Sequence, residues 1–158
     1  MFDIYLASPL HTPEHRAIMD SAKHIIQSAG FSVFDPRESG VIIKDLKTAE
    51  ERENAAQKVF EYNIKGLEES RAIIACIDDR DTGVAFELGY MRKADKAFLV
   101  TFSAHGHGAN VMLARAVNHH CPDLRNLERF LERRRSDLQM AIWGKQPFPV
   151  LRRANSNG

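Results

Sequence analysis

Short apolar runs alternate with longer amphipathic segments along the whole chain, and this constrains the fold more than any other feature. Asp3–Ala7, Phe31–Phe34, Ala72–Ile77, Lys96–Phe102 and Val117–Cys121 are predicted strands. Between them lie segments with helical signals. Thr12-Pro13-Glu14 supplies an N-cap, a proline at the first helical position and an acid in the first turn. That helix runs to Ala29, with Ile18, Ala22, Ile25, Ile26 and Ala29 on one face and Gly30 as its stop. Thr48 to Glu51 reads as a capping box. The helix it opens reaches Ser70 and turns Val59, Phe60, Ile64 and Leu67 inward. Further helices are expected over Val84–Ala94 and Ala109–Ala116. A basic amphipathic helix follows, with Leu124, Leu127, Phe130, Leu131 and Leu138 apolar.

Strands separated by helices pair in parallel and are covered on both faces. The expectation is therefore an α/β fold: a flavodoxin-like, doubly wound, five-stranded parallel sheet of order 2-1-3-4-5. Its switch point lies between the first and third strands, where such sheets bind ligands. Tyr5–Leu10, Asn63 and Asp81–Glu87 should meet there around one crevice.

The 158 residues fit a single domain over 1–151, with 152–158 expected as a disordered tail. A net charge of +1 gives no global field for a nucleic acid polymer or an anionic membrane. Arg125, Arg129, Arg133, Arg134, Arg135, Arg152 and Arg153 cluster late in the chain. They read as a solvated helix face and loose tail, or as a contact surface. Cys76 and Cys121 make no disulfide framework, and no cysteine or histidine has metal-ligand spacing, so no metal is expected. No apolar run is long enough to span a membrane, and the N-terminus lacks a signal-peptide pattern. A cytoplasmic location is the expectation. Trp143, within Met140–Val150 and near Pro147 and Pro149, suggests a docked non-helical strap.

Two carboxylates, Asp81 and Glu87, follow the third strand at its ligand-binding end. An ionised carboxylate in the first turn or so of a helix is favoured by the dipole. It can attack an anomeric carbon and form a glycosyl ester. Asp81 is then a candidate to hold a sugar hydroxyl or handle a proton on the departing base. The same pair also suits helix capping. Gly83 would let a ligand approach the backbone, and Gly89 would allow close helix–sheet packing.

Four segments, in order, resemble the nucleoside 2-deoxyribosyltransferase family, which includes related nucleotide N-glycosidases. They are Tyr5-Leu6-Ala7-Ser8-Pro9-Leu10, Asn63-Ile64 before the third strand, Asp81-x-Gly83-x-x-x-Glu87-Leu88-Gly89, and Asn110-Val111-Met112. The resemblance implies that Glu87 is the nucleophile at C1′, that Tyr5 orients it, and that Asp81 contacts sugar or base. It implies that Asn110 is lent to a neighbouring subunit's pocket, hence a homodimer or higher homo-oligomer with shared sites. It also places the loop after the second strand, Phe34, Asp35, Pro36, Arg37 and Glu38, at the base end of the pocket, where Arg37 or Glu38 could read a base edge; the alternative is that these residues simply end the strand and turn the chain. Asn63 stands where several members carry an aspartate, and an amide is no general acid. Asp81 becomes the better candidate to assist base departure. The substrates would be a nucleoside or nucleotide and a nucleobase, with no cofactor.

Two readings remain beside base exchange. One is N-glycosidase action on nucleosides or 5′-monophosphates. That would need a phosphate cradle, for which Ser8 and Thr12, with His11, His15 or Arg16, are candidates. Their alternative is that Thr12 caps its helix and the histidines are exposed. The loop Ser103–Gly108 is a further candidate contact. The other reading is a non-catalytic nucleotide-sensing module on the same fold.

Overall fold

A computed structural model describes residues 1–41 and 46–144. Five strands form one sheet: β1 Phe2–Ala7, β2 Val33–Phe34, β3 Ser70–Cys76, β4 Phe98–Phe102 and β5 His119–Cys121. The helices are α1 Pro13–Ser28, α2 Ala49–Glu69, α3 Thr82–Lys93, α4 Val111–Ala116 and α5 Leu124–Trp143. The strand order is β2-β1-β3-β4-β5 and every pairing is parallel, as the alternation predicts. The two edge strands are shorter than their apolar runs. Phe31 and Ser32 lead into β2, and Val117 and Asn118 lead into β5.

Alternate strand residues feed two cores, as the period of two requires. Ile4, Leu6, Ala72, Ile74, Val100 and Phe102 pack with α1 and α5, including Met19, Ile26, Leu127, Leu131 and Ile142. Tyr5, Ala7, Ile73, Ala75 and Leu99 pack with Leu67 of α2 and Val84, Leu88 and Met91 of α3. Both cysteines are buried and free. The caps form as the sequence predicts. Thr12 accepts the His15 amide at 3.2 Å, and Thr48 and Glu51 close a reciprocal box.

Three expectations need correction. Phe60 is not inward. It is 53% exposed on α2, where its ring meets Phe86 of α3 at 6.5 Å. Gly89 has open space where its Cβ would sit, so close packing does not explain it. The Met140–Val150 strap fails at its start, because α5 stays helical through Trp143. A polar anchor explains this: the Trp143 indole N–H donates to Asp3 Oδ1 at 2.9 Å while the ring lies 6.3 Å from that of Phe31. The rest of that segment, the Arg152–Arg153 pair and the 152–158 tail lie outside the described residues.

Candidate active site

The turn between β3 and α3 carries the acidic pair. Asp79 and Arg80 hold left-handed backbone conformations, with φ of 58° and 51°. For non-glycine residues this costs on the order of 1 kcal/mol each. His15 holds the turn in place. Its Nε2 lies 2.8 Å from Asp79 Oδ2, and the imidazole is buried, so it is not one of the exposed histidines the sequence suggested. Asp81 then caps α3, accepting the Val84 amide at 2.9 Å through Oδ1. Its Oδ2 lies 2.7 Å from Nε2 of the exposed His11. Burial alone would push the Asp81 carboxyl up. The Val84 amide and His11 outweigh it, so the group is held below the usual carboxylate range.

Glu87 stands in the second turn of α3, not the first, where the dipole has largely faded. Tyr5, fully buried in β1, donates its hydroxyl to Glu87 Oε1 at 2.5 Å. No salt bridge pins Glu87 among the described residues, and Oε2 has no hydrogen-bond partner there. Burial opposes the ionised form that a helix dipole favours. It raises the Glu87 carboxyl to about 7; the Tyr5 bond pulls it down and the Asp81 charge adds a further upward push. Tyr5 itself is driven up, first by burial and then by the Glu87 charge, so its proton stays on the phenol.

Packing under Tyr5 fixes this bond. Its ring stacks on Phe34 at 5.2 Å, and Phe34 also meets Phe2 at 5.3 Å and Tyr62 at 4.9 Å. Gly66 of α2 makes room for the Phe34 ring: a Cβ there would lie 2.3 Å from it. This close approach was not read from the sequence. Gly66 sits mid-pattern in a helix, and nothing local says which ring crosses it.

The other predicted site residues are placed as follows. Phe34 is core beneath Tyr5, not a wall open to ligand. Asp35 is buried and committed to Arg37 at 2.7 Å and Lys23 at 3.0 Å. Arg37 also pairs with Asp20, and Glu38 pairs with Lys23. Asp35 and Arg37 are committed to these pairs, whereas the exposed Glu38 meets Lys23 through Oε1 alone. The Asn63 side chain is part of the α2 face, and its Oδ1 is buried with no hydrogen-bond partner. It is therefore not an ordinary surface amide. Ser8 Oγ donates to the Pro9 carbonyl. At Gly83 a Cβ would lie 3.0 Å from Asp81 Oδ1, so a side chain there would crowd the capping carboxylate. Asn110 is exposed and caps α4 by accepting the Leu113 amide at 3.0 Å.

A cavity of about 390 Å³ opens between the start of α3 and the start of α4. Asp81, Arg80, Val84, Ala85, Asn110 and Leu113 are among its lining residues. Glu87 and Tyr5 do not line it, because Ala85 and Glu87 fall on opposite flanks of α3. The cavity reaches the capping carboxylate but not the Tyr5–Glu87 pair. Asp81 and Glu87 are nonetheless close enough for the Asp81 charge to act on Glu87.

The model of the nucleoside 2-deoxyribosyltransferase family matches residues 4–120. The chain belongs to this family. A solved structure from work on the 2-deoxyribosyltransferase of the psychrotolerant bacterium Bacillus psychrosaccharolyticus is 26% identical, with a TM-score of 0.68. The match covers 80% of this chain and 90% of that one. No curated protein sequence matches. The matched residues take in Tyr5, Asn63, Asp81, Glu87 and Asn110, and end before α5 begins. The chain is thus a deoxyribosyltransferase-family enzyme, with the α/β architecture of that relative.

In this family member the β4–α4 loop hangs on one buried acid. Asp78 accepts the Ser103 hydroxyl at 2.5 Å and the Ala104 amide at 2.8 Å, and His107 Nδ1 lies 3.2 Å away. Ser103 Oγ in turn accepts the His105 and His107 amides. The loop named as a possible phosphate contact is thus a built turn that delivers Gly108 to Asn110 to the cavity. Asp78 was missed in the sequence because its neighbours Asp79 and Asp81 make it look like one of a run.

Proposed function

We propose that the protein exchanges the nucleobase of a 2′-deoxynucleoside through a covalent glycosyl ester on Glu87. The single observation that carries this reading is the Tyr5–Glu87 contact. One oxygen of a carboxyl is held by a buried phenol, while the other has no hydrogen-bond partner among the described residues. Membership of the family supports nucleoside deoxyribosyl transfer in general; the ester on Glu87 is the finer step.

In the first half-reaction Glu87 Oε2 bonds to C1′ as the C1′–N bond breaks, and the electron pair leaves with the base. A second base then attacks C1′ from the vacated side, the ester breaks, and configuration is retained. Glu87 must be ionised to attack. Tyr5 stabilises that form by hydrogen bonding, and burial holds its titration near neutrality, where a group switching between ester and carboxylate is well poised.

A nucleoside fits better than a 5′-monophosphate. The hydroxyls of the candidate cradle after β1 are committed, Ser8 to the Pro9 carbonyl and Thr12 to the His15 amide, and the ionised Asp81 carboxylate lies against His11 beside them. A substrate phosphate there would meet a like charge. We further infer that a second copy of the chain completes the site. The exposed Phe60, Phe86, Val111 and Met112 support this, since they lie on the helices that flank Glu87 and Asn110.

The test is base exchange with and without an acceptor. New nucleoside formed only with acceptor is expected. Sugar released at one rate regardless of acceptor would support the glycosidase reading instead. The acid limb of kcat/KM should titrate near pH 7, with activity rising as Glu87 loses its proton. Tyr5→Phe removes the bond that favours the ionised form, so the limb should move to higher pH and kcat should fall. An unmoved limb would mean that another group controls it.

A further inference from the structure

Base departure needs a proton as well as a nucleophile, and the groups already assigned do not supply one. Asn63 is an amide. Asp81 is held ionised by the Val84 amide and His11, so it accepts protons' bonds and does not give protons away, contrary to the sequence expectation. Tyr5 commits its hydroxyl to Glu87.

His11 remains. It lies on the loop leaving β1, the strand that also carries Tyr5. The two residues bridge to α3 in parallel, Tyr5 at Glu87 and His11 at Asp81. The His11 ring is exposed and can exchange protons with solvent. Nε2 is taken by Asp81 at 2.7 Å, which turns Nδ1 away from that carboxylate. His15 is the neighbouring imidazole, with ring centroids 6.2 Å apart, but it is buried against Asp79 and faces the turn. An imidazole oriented by a carboxylate through one nitrogen, with no hydrogen-bond partner at the other among the described residues, is the arrangement of a positioned acid–base group.

We propose that His11 is the proton donor to the departing base, with Asp81 as its positioning partner; this rests on the glycosyl-transfer reading above. As the C1′–N9 bond of a purine deoxynucleoside breaks, its electron pair returns to the base. The His11 imidazolium gives its Nδ1 proton to a ring nitrogen of that base, and Glu87 closes the ester. In the second half-reaction the incoming base loses its N–H proton to the neutral His11 as its nitrogen bonds to C1′. Proton and charge are then restored.

The test compares two base donors in wild type and His11→Gln: 2′-deoxyguanosine, and 7-methyl-2′-deoxyguanosine, whose base leaves neutral without a proton. In the first half-reaction, read as the burst of base released before any acceptor is added, the variant should be about 10²-fold or more slower on 2′-deoxyguanosine. On the methylated donor, whose base needs no proton to leave, that burst should fall far less. Asp81→Asn keeps a good helix cap but loosens His11, and should show the same split to a smaller degree. Equal losses on both donors would make His11 merely structural and overturn the proposal, as would no loss on either. Wild-type protein inactive on both donors would instead overturn the underlying transfer reading, and the proton donor with it.

Discussion

Replacing Glu87 with glutamine should abolish base exchange, by roughly 10³-fold at least and up to about 10⁶-fold, while nucleoside binding persists. The amide keeps the shape and can still accept the Tyr5 hydroxyl, but it cannot form the ester. The same variant should gain stability at alkaline pH. The Glu87 carboxyl titrates near 7 in the folded chain, above its ordinary value of 4.5. A raised group of this kind contributes stability that is fully present below the unfolded value. The contribution is lost as pH rises through the folded one. The difference amounts to at most about 3 kcal/mol at pH 8, and partial exposure of the side chain trims it. Melting curves at pH 5 and pH 8 should therefore show wild type losing ground to Glu87→Gln as pH rises. A variant that is less stable at pH 8 would mean that the native carboxylate is better accommodated than its burial indicates. A non-catalytic sensor on this fold would lose little function on the same change.

Gly66→Ala should destabilise the protein, although alanine is ordinarily the better helix residue by about 1 kcal/mol. The added methyl would lie 2.3 Å from the Phe34 ring. That ring is a rigid plate already held by Phe2, Tyr5 and Tyr62. Something must shift, and overpacking of this kind costs about 1–3 kcal/mol. For a chain of this size each kcal/mol lowers Tm by about 2–4 °C. The effect should extend to chemistry, because Phe34 pushed against Tyr5 disturbs the bond to Glu87. Activity measured well below the melting point should fall, and the acid limb should move. Phe34→Leu in the same chain should restore part of the lost stability, since the smaller side chain vacates the space. Gly66→Ala as stable as wild type would refute this packing account.

The architecture was legible because its signals are local and repeated. Thr12-Pro13-Glu14, the Thr48–Glu51 box and the run Ala72–Ile77 each announce an element without reference to the rest of the chain. Parallel order follows from the connections. Glu87 and Tyr5 were legible through their motifs, and the structure joins them by a direct hydrogen bond across 82 residues of sequence. What escaped the sequence depends on contacts between distant elements. Gly66 matters only because Phe34 crosses it, and Gly89, in the more conspicuous motif, has no such neighbour. His15 looks like His11 in sequence. Yet one helical turn buries it against Asp79, while His11 stays on the loop and reaches Asp81. The raised Glu87 carboxyl has a related origin: helix position is a local property, whereas burial against β1 is not. Phe34, Asp35, Arg37 and Glu38 sit where a base-reading loop was expected, but ion pairs and ring stacking already occupy them.

A sugar carried by one side chain is the central step, and acid-quenching the enzyme during turnover tests it most directly. The protein is mixed with a 2′-deoxynucleoside in the absence of acceptor, quenched, and examined by intact mass and peptide mapping. One added deoxyribosyl group is expected on the peptide containing Glu87, and it should be discharged when an acceptor base is added before the quench. Base exchange that proceeds with no adduct, or with the adduct on Asp81 or another residue, would contradict the assignment of Glu87 as the nucleophile.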